Sequence, residues 1–113
     1  MDANGFDFKN AIISYLNGDF TYGSNITCWD VSEVTNMQGA FARLSTFDDP
    51  LCWDVSSVTS MQTMFYSASA FNQDLSAWNV SSVTNMLQMF SNGAYAFNQS
   101  LSSWDVSSVK TCG

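Results

Sequence analysis

The residues with the most evident chemical potential in this 113-residue chain sit beside its four tryptophans. Directly after Trp29, Trp53, Trp78 and Trp104 come Asp30, Asp54, Asn79 and Asp105. Oxygen-bearing side chains at matched spacing raise the idea of hard-cation ligands, because Ca²⁺ takes about six to eight oxygens. A row, however, presents one side chain per repeat and does not converge on a point. Neither an EF-hand loop nor a glycine-rich nonapeptide pattern is present. No metal site is expected. The four side chains read instead as an outward column, satisfied by hydroxyls, backbone N–H groups and solvent.

Cys28 and Cys52 each precede a tryptophan by one residue. On adjacent rungs of a stack their Cα atoms would lie about 4.8 Å apart, inside the range a disulfide spans. In an oxidising compartment a Cys28–Cys52 bridge is expected, and in a reducing one two free thiols. Cys112 occupies the position of Met37, Met61 and Met86, which makes it a small core residue or an odd thiol. The chain has no histidine, and its cysteine spacing fits no zinc motif. Sequons begin at Asn25, Asn79 and Asn98 and mark candidate N-glycosylation sites, although a chain rich in Asn, Ser and Thr also produces them by chance.

Without histidine the common general base and nucleophile activator are missing. The adjacent Asp48 and Asp49 read as a solvated turn, and no glycine-rich phosphate loop occurs. The expectation is a protein with no catalytic residue and no cofactor. Three basic residues stand against ten acidic ones, for a net charge of −7. Nucleic acid and anionic lipid are therefore excluded as expected partners, because both need clustered Lys and Arg. No apolar run approaches the roughly 18 residues a membrane-spanning helix requires. Met1-Asp2-Ala3-Asn4 does not resemble a secretory signal, whereas the sequons lean towards the secretory route.

The elements that position these residues follow from a repeat. Tyr22, Phe47, Phe71 and Phe97 open four copies, and the tryptophans recur at separations of 24, 25 and 26 residues. Such a period signals a stacked array stabilised by contacts between neighbouring repeats. Within a copy, Leu75, Trp78 and Val80 suggest a short strand with Trp and Val inward. Ser81 and Ser82 could cap a short helical turn whose buried side carries Val83, Met86, Met89 and Phe90. Residues 1–21 do not repeat. Phe8, Ala11, Ile12, Tyr15 and Leu16 fall on one helical face, with Asp7 as expected N-cap and Gly18 as expected stop. That helix should cap residues 22–113, which hold three complete repeats and a partial fourth. The second copy is one residue short before Trp53, beside Pro50, and should enter irregularly.

The motifs WDVSEVTNM (29–37), WDVSSVTSM (53–61), WNVSSVTNM (78–86) and WDVSSVKTC (104–112), with FNQDLSAW between them, resemble the BspA-like leucine-rich-repeat surface proteins. The lead-in FKNAIISYLNG is similar to the helix that opens such arrays, so the resemblance covers residues 6–112. It implies a leucine-rich-repeat-like right-handed α/β solenoid, surface display and adhesion in the bacterial members, and no catalysis.

The expected function is non-enzymatic recognition of a protein or glycoconjugate at the cell surface or outside the cell. Asp30, Asp54, Ser76, Asn79, Ser102 and Asp105 form the expected binding face. The alternative is a structural subunit of a larger assembly, for instance in an organelle lumen. In that reading neighbouring subunits would hold it through the C-terminal edge, because the fourth copy stops before its Phe and an uncovered edge is one that natural proteins avoid.

Overall fold

The computed structural model describes residues 5–20, 25–91, 99 and 101–112. One α-helix, α1 (Gly5–Leu16), precedes a series of short, repeated turns. It starts before Asp7, which therefore lies within the helix rather than at its cap. Its end follows from Gly18. At a φ of 96° this residue closes a two-bond stop: Gly18 N–H donates to the Tyr15 carbonyl at 3.0 Å, and Asp19 N–H to the Ser14 carbonyl at 2.9 Å. Phe8 and Ile12 are fully buried against the repeats, and Ala11 and Tyr15 pack at the margin. Leu16, expected on the same face, is exposed at the helix end.

The repeats meet in parallel at one narrow column. Asn36 bridges Ser60, Ser60 bridges Asn85, and the strand β1 (Asn85–Met86) pairs with β2 (Thr111–Cys112). This column lies at the Thr-Asn-Met segment, after the Trp-x-Val segment where the spacing suggests a strand. Three local bonds explain the difference. The Asp54 side chain takes both the backbone N–H of Ser56 (3.0 Å) and its hydroxyl (2.6 Å). Val58 N–H then turns back to the Val55 carbonyl at 3.0 Å. Groups that a ladder would use are thus committed locally. The same pair of bonds to a Ser recurs at Asp30 and Asn79, and its backbone half at Asp105.

No helix forms over residues 83–90 either, although Val83, Met86 and Met89 are indeed buried. Gly39, Thr63 and Gln88, each two residues after a Met of the column, have φ of 66°, 53° and 54°. A left-handed residue there breaks a right-handed helix. The backbone bonds from one repeat to the next instead. Met61, Thr63 and Phe65 donate to the carbonyls of Asn85, Leu87 and Met89 at 2.8–2.9 Å, while Met64 and Tyr66 close turns within the repeat. The preceding repeat does the same, with Met37, Gly39 and Phe41 donating to Ser60, Gln62 and Met64.

Stacking brings like residues together in columns. Phe41, Phe65 and Phe90 lie 5.4 and 5.3 Å apart with ring planes within 4° of parallel. Phe47 sits over Phe71, and Trp53 over Trp78 at 6.3 Å. Helix α1 meets these columns edge-on: Phe8 touches Trp53 and Tyr15 touches Trp29. Lys9 Nζ donates to the Gly39 carbonyl at 2.6 Å, which ties the helix to the first repeat. Its pKa is lowered, first by burial and then by the nearby Arg43 charge. Three of the four indole N–H groups donate to a lead-in carbonyl of the preceding repeat: Trp53 to Ile26, Trp78 to Leu51 and Trp104 to Leu75, all at 2.8–2.9 Å. The tryptophans therefore bury large apolar area while satisfying their one polar atom. Among the described residues no polar or charged residue is buried.

Candidate functional face

The polar column expected between Trp and Val is present on the outside. Asp30, Asp54, Asn79 and Asp105 are exposed, whereas the flanking Trp29, Val31, Trp53, Val55, Trp78 and Val80 are buried. Alternation of side-chain direction places them there. Ser76 and Ser102 are also exposed, so the six residues expected to form a binding face are all open to solvent. The Asp30, Asp54 and Asn79 side chains are held by one hinge-like bond pattern, an oxygen bound to the Ser two residues later. Asp74 holds the Ser76 backbone N–H at 2.8 Å, which adds a member to this set that the tryptophan spacing does not reveal. Its signal in sequence is the Asp-x-Ser spacing itself, shared with the others.

These bonds set the electrostatics. The carboxyl groups of Asp30, Asp54, Asp74 and Asp105 are each lowered below the usual carboxylate range, first by the hydroxyl of the bonded Ser and next by its backbone N–H. For Asp54 the neighbouring Asp30 charge acts in the opposite direction. The face is therefore anionic at neutral pH and fixed in geometry. A shallow groove of ≈ 390 Å³ crosses it between the second and third repeats, lined by Leu51, Cys52, Trp53, Asp54, Asp74, Ala77 and Trp78. Among the described residues no three His, Cys, Asp or Glu side chains gather where they could hold a metal ion.

Other polar columns serve to join repeats. Thr59 and Thr84 hydroxyls donate to the carbonyls of Thr35 and Thr59. At the loop corner, Asn72 N–H donates to Asp48 Oδ1 at 2.8 Å, and Gln73 Nε2 reaches the same oxygen at 3.0 Å. Gln99 Nε2 repeats this contact on Asn72. Asp48 is accordingly a connector between repeats rather than half of an acid pair with Asp49.

Cys28 and Cys52 are both exposed and carry free thiols. Of the sequon residues, Asn25 is exposed and caps the short 3₁₀ turn Ile26–Cys28 by accepting from Thr27 N–H at 3.1 Å. Asn79 is exposed with its Oδ1 bonded to Ser81. Asn98 and the side chain of Cys112 lie outside the described residues. Among the described residues no helix is long and apolar enough to cross a membrane.

No curated protein and no solved structure matches this chain. A family model described as "Mycoplasma protein of unknown function, DUF285" matches residues 8–113, from Phe8 of α1 through the last glycine, and the chain belongs to that family.

Proposed function

We propose that this protein is a non-enzymatic recognition module of the BspA-like kind, a leucine-rich-repeat-like right-handed solenoid in which α1 caps three complete repeats and a partial fourth. It binds a protein or glycoconjugate at the cell surface through the outer face that carries Asp30, Asp54, Ser76, Asn79, Ser102 and Asp105. One observation carries this reading. An outward Asp or Asn, held by the same bond to a following Ser, recurs from repeat to repeat beside a groove of ≈ 390 Å³. Side chains already fixed in one geometry lose little conformational freedom on binding, which favours recognition by a rigid surface. The absence of histidine removes the usual acid–base machinery and supports a role without catalysis.

The test is binding of the purified chain to a printed glycan array and to immobilised extracellular glycoproteins. The expected result is retention on a subset of these, at least tenfold weakened in an Asp54→Lys/Asn79→Lys double variant and unchanged in Asp49→Lys, whose side chain does not line the groove. Retention that the double variant leaves untouched would contradict the assignment of this face.

A second reading, a structural subunit of a larger assembly such as one in an organelle lumen, is favoured by the fourth repeat. Val31, Val55 and Val80 are about 1 % exposed, whereas Val106 is 49 % exposed and Trp104 is only partly covered. A neighbouring subunit laid on that repeat would bury the same side chains that the other repeats bury. Light scattering on the purified chain separates the two readings: a monodisperse monomer of 12.5 kDa favours the free module, and defined oligomers favour the subunit.

A further inference from the structure

We propose that Cys28 and Cys52 are a redox couple whose oxidation staples the first two repeats together along the outer face. The register of these repeats is fixed on both sides of the pair. The Ile26 carbonyl, two residues before Cys28, accepts the indole N–H of Trp53, the residue after Cys52, at 2.8 Å. Further along, Thr59 N–H donates to the Thr35 carbonyl at 2.7 Å. Between these anchors, Asp30 and Asp54, each two residues after a cysteine, lie close enough to interact through their charges. Both thiols are exposed, and each precedes a buried tryptophan, so both point away from the core. No ladder runs through this segment, but the stacked rings give the spacing between repeats, 5.4 Å for Phe41 over Phe65 and 6.3 Å for Trp53 over Trp78, which falls within the roughly 4.4–6.8 Å Cα separation that a disulfide accepts. The third and fourth repeats carry Ala77 and Ser103 at the same position, which confines the staple to one place.

The chemistry is thiol–disulfide exchange with a small-molecule disulfide such as oxidised glutathione. The thiolate of one cysteine attacks the oxidant and expels one glutathione thiolate, leaving a mixed disulfide. The second cysteine attacks the protein sulfur of that mixed disulfide. A Cys28–Cys52 bond forms and the second glutathione leaves. Two electrons pass to the oxidant, and the two thiol protons end on the two glutathione molecules. Because Cys52 lines the groove beside Asp54 and Asp74, the bond would also fix one rim of that groove.

The test uses the full chain carrying Cys112→Ser, treated with oxidised glutathione. Lys9, Arg43 and Lys110 are the only basic residues, so trypsin places Cys28 in peptide 10–43 and Cys52 in peptide 44–110. The expected result is a monomer that has lost two hydrogens and whose unreduced digest joins these two peptides. The oxidised chain should also melt roughly 5 °C higher than the reduced one. Adding Cys28→Ser should leave a single glutathione adduct on Cys52, with neither the joined peptides nor the gain in melting temperature. Two glutathione adducts per chain, covalent dimers, unreacted thiols, or an oxidised chain that melts no higher would each overturn the proposal.

Discussion

The Asp-x-Ser bond is the smallest unit that matters for this protein, and its effect on charge can be measured directly. Asp54 accepts from the Ser56 hydroxyl and backbone N–H, and both contacts favour the ionised carboxyl. Its folded pKa therefore lies below the unfolded one of about 3.9. A group lowered on folding contributes its full stabilisation above the unfolded pKa and loses it as the pH falls through the folded pKa. The melting temperature should then be flat from neutral pH to about pH 5 and fall in more acid solution. A carboxyl carbon titration followed by NMR should place the Asp54 midpoint below that of an ordinary aspartate, and Ser56→Ala should raise it. An unchanged midpoint in Ser56→Ala would show that the hydroxyl is not the cause. Asn79 offers an internal control, because it makes the same bonds without a charge.

At the scale of elements, the parts read from spacing separate by physical cause. Inward Trp and Val were legible because burial follows periodicity, and the columns of Trp53 over Trp78 and Phe41 over Phe65 follow from repetition. Helix α1 was legible from its apolar face and from Gly18. The strand at Leu75–Val80 and the helix at 83–90 were not, because apolar spacing reports which side chains face inward and not which backbone groups bond. Those bonds were decided by the Asp-x-Ser turn and by left-handed residues two positions after each Met. Gly39 is the one visible sign of the second device, since Thr63 and Gln88 adopt the same conformation without being glycine.

That conformation yields a paired prediction. Gln88 is exposed with a φ of 54°, so Gln88→Gly should raise stability by about 0.5–1 kcal/mol in chemical denaturation. Gly39→Ala should lower it by about 1 kcal/mol. The added Cβ would meet only Thr63 Oγ1 at 3.8 Å and Lys9 Cδ at 4.0 Å, which is ordinary contact, so the cost is in the backbone. Equal stability of both variants and the parent would remove the left-handed column as the reason no helix forms.

At the scale of the molecule, stability runs through contacts between neighbouring repeats. The buried Trp53 and Trp78 bond backward by one repeat, and the Met-to-Phe segments of the first two repeats bond forward by one. The middle repeats are held from both sides, α1 packs on Trp53 and Trp29 through Phe8 and Tyr15, and burial declines towards Val106. This layout explains how a chain with few charges and turns in place of long strands holds one continuous core. It also explains how an outer face of small polar residues can stay regular, as the proposed recognition role requires.

Amide hydrogen exchange, resolved by NMR, tests this layout most directly. Thr63 and Phe65 donate from the second repeat to the third and should exchange among the slowest amides. Ser56, Ser76 and Ser107, whose N–H groups bond only to exposed aspartate side chains, should exchange at least a hundredfold faster. If Thr63 and Phe65 exchange as fast as those turn amides, the repeats are not joined by the bonds described, and the rigid outer face built on them is lost with them.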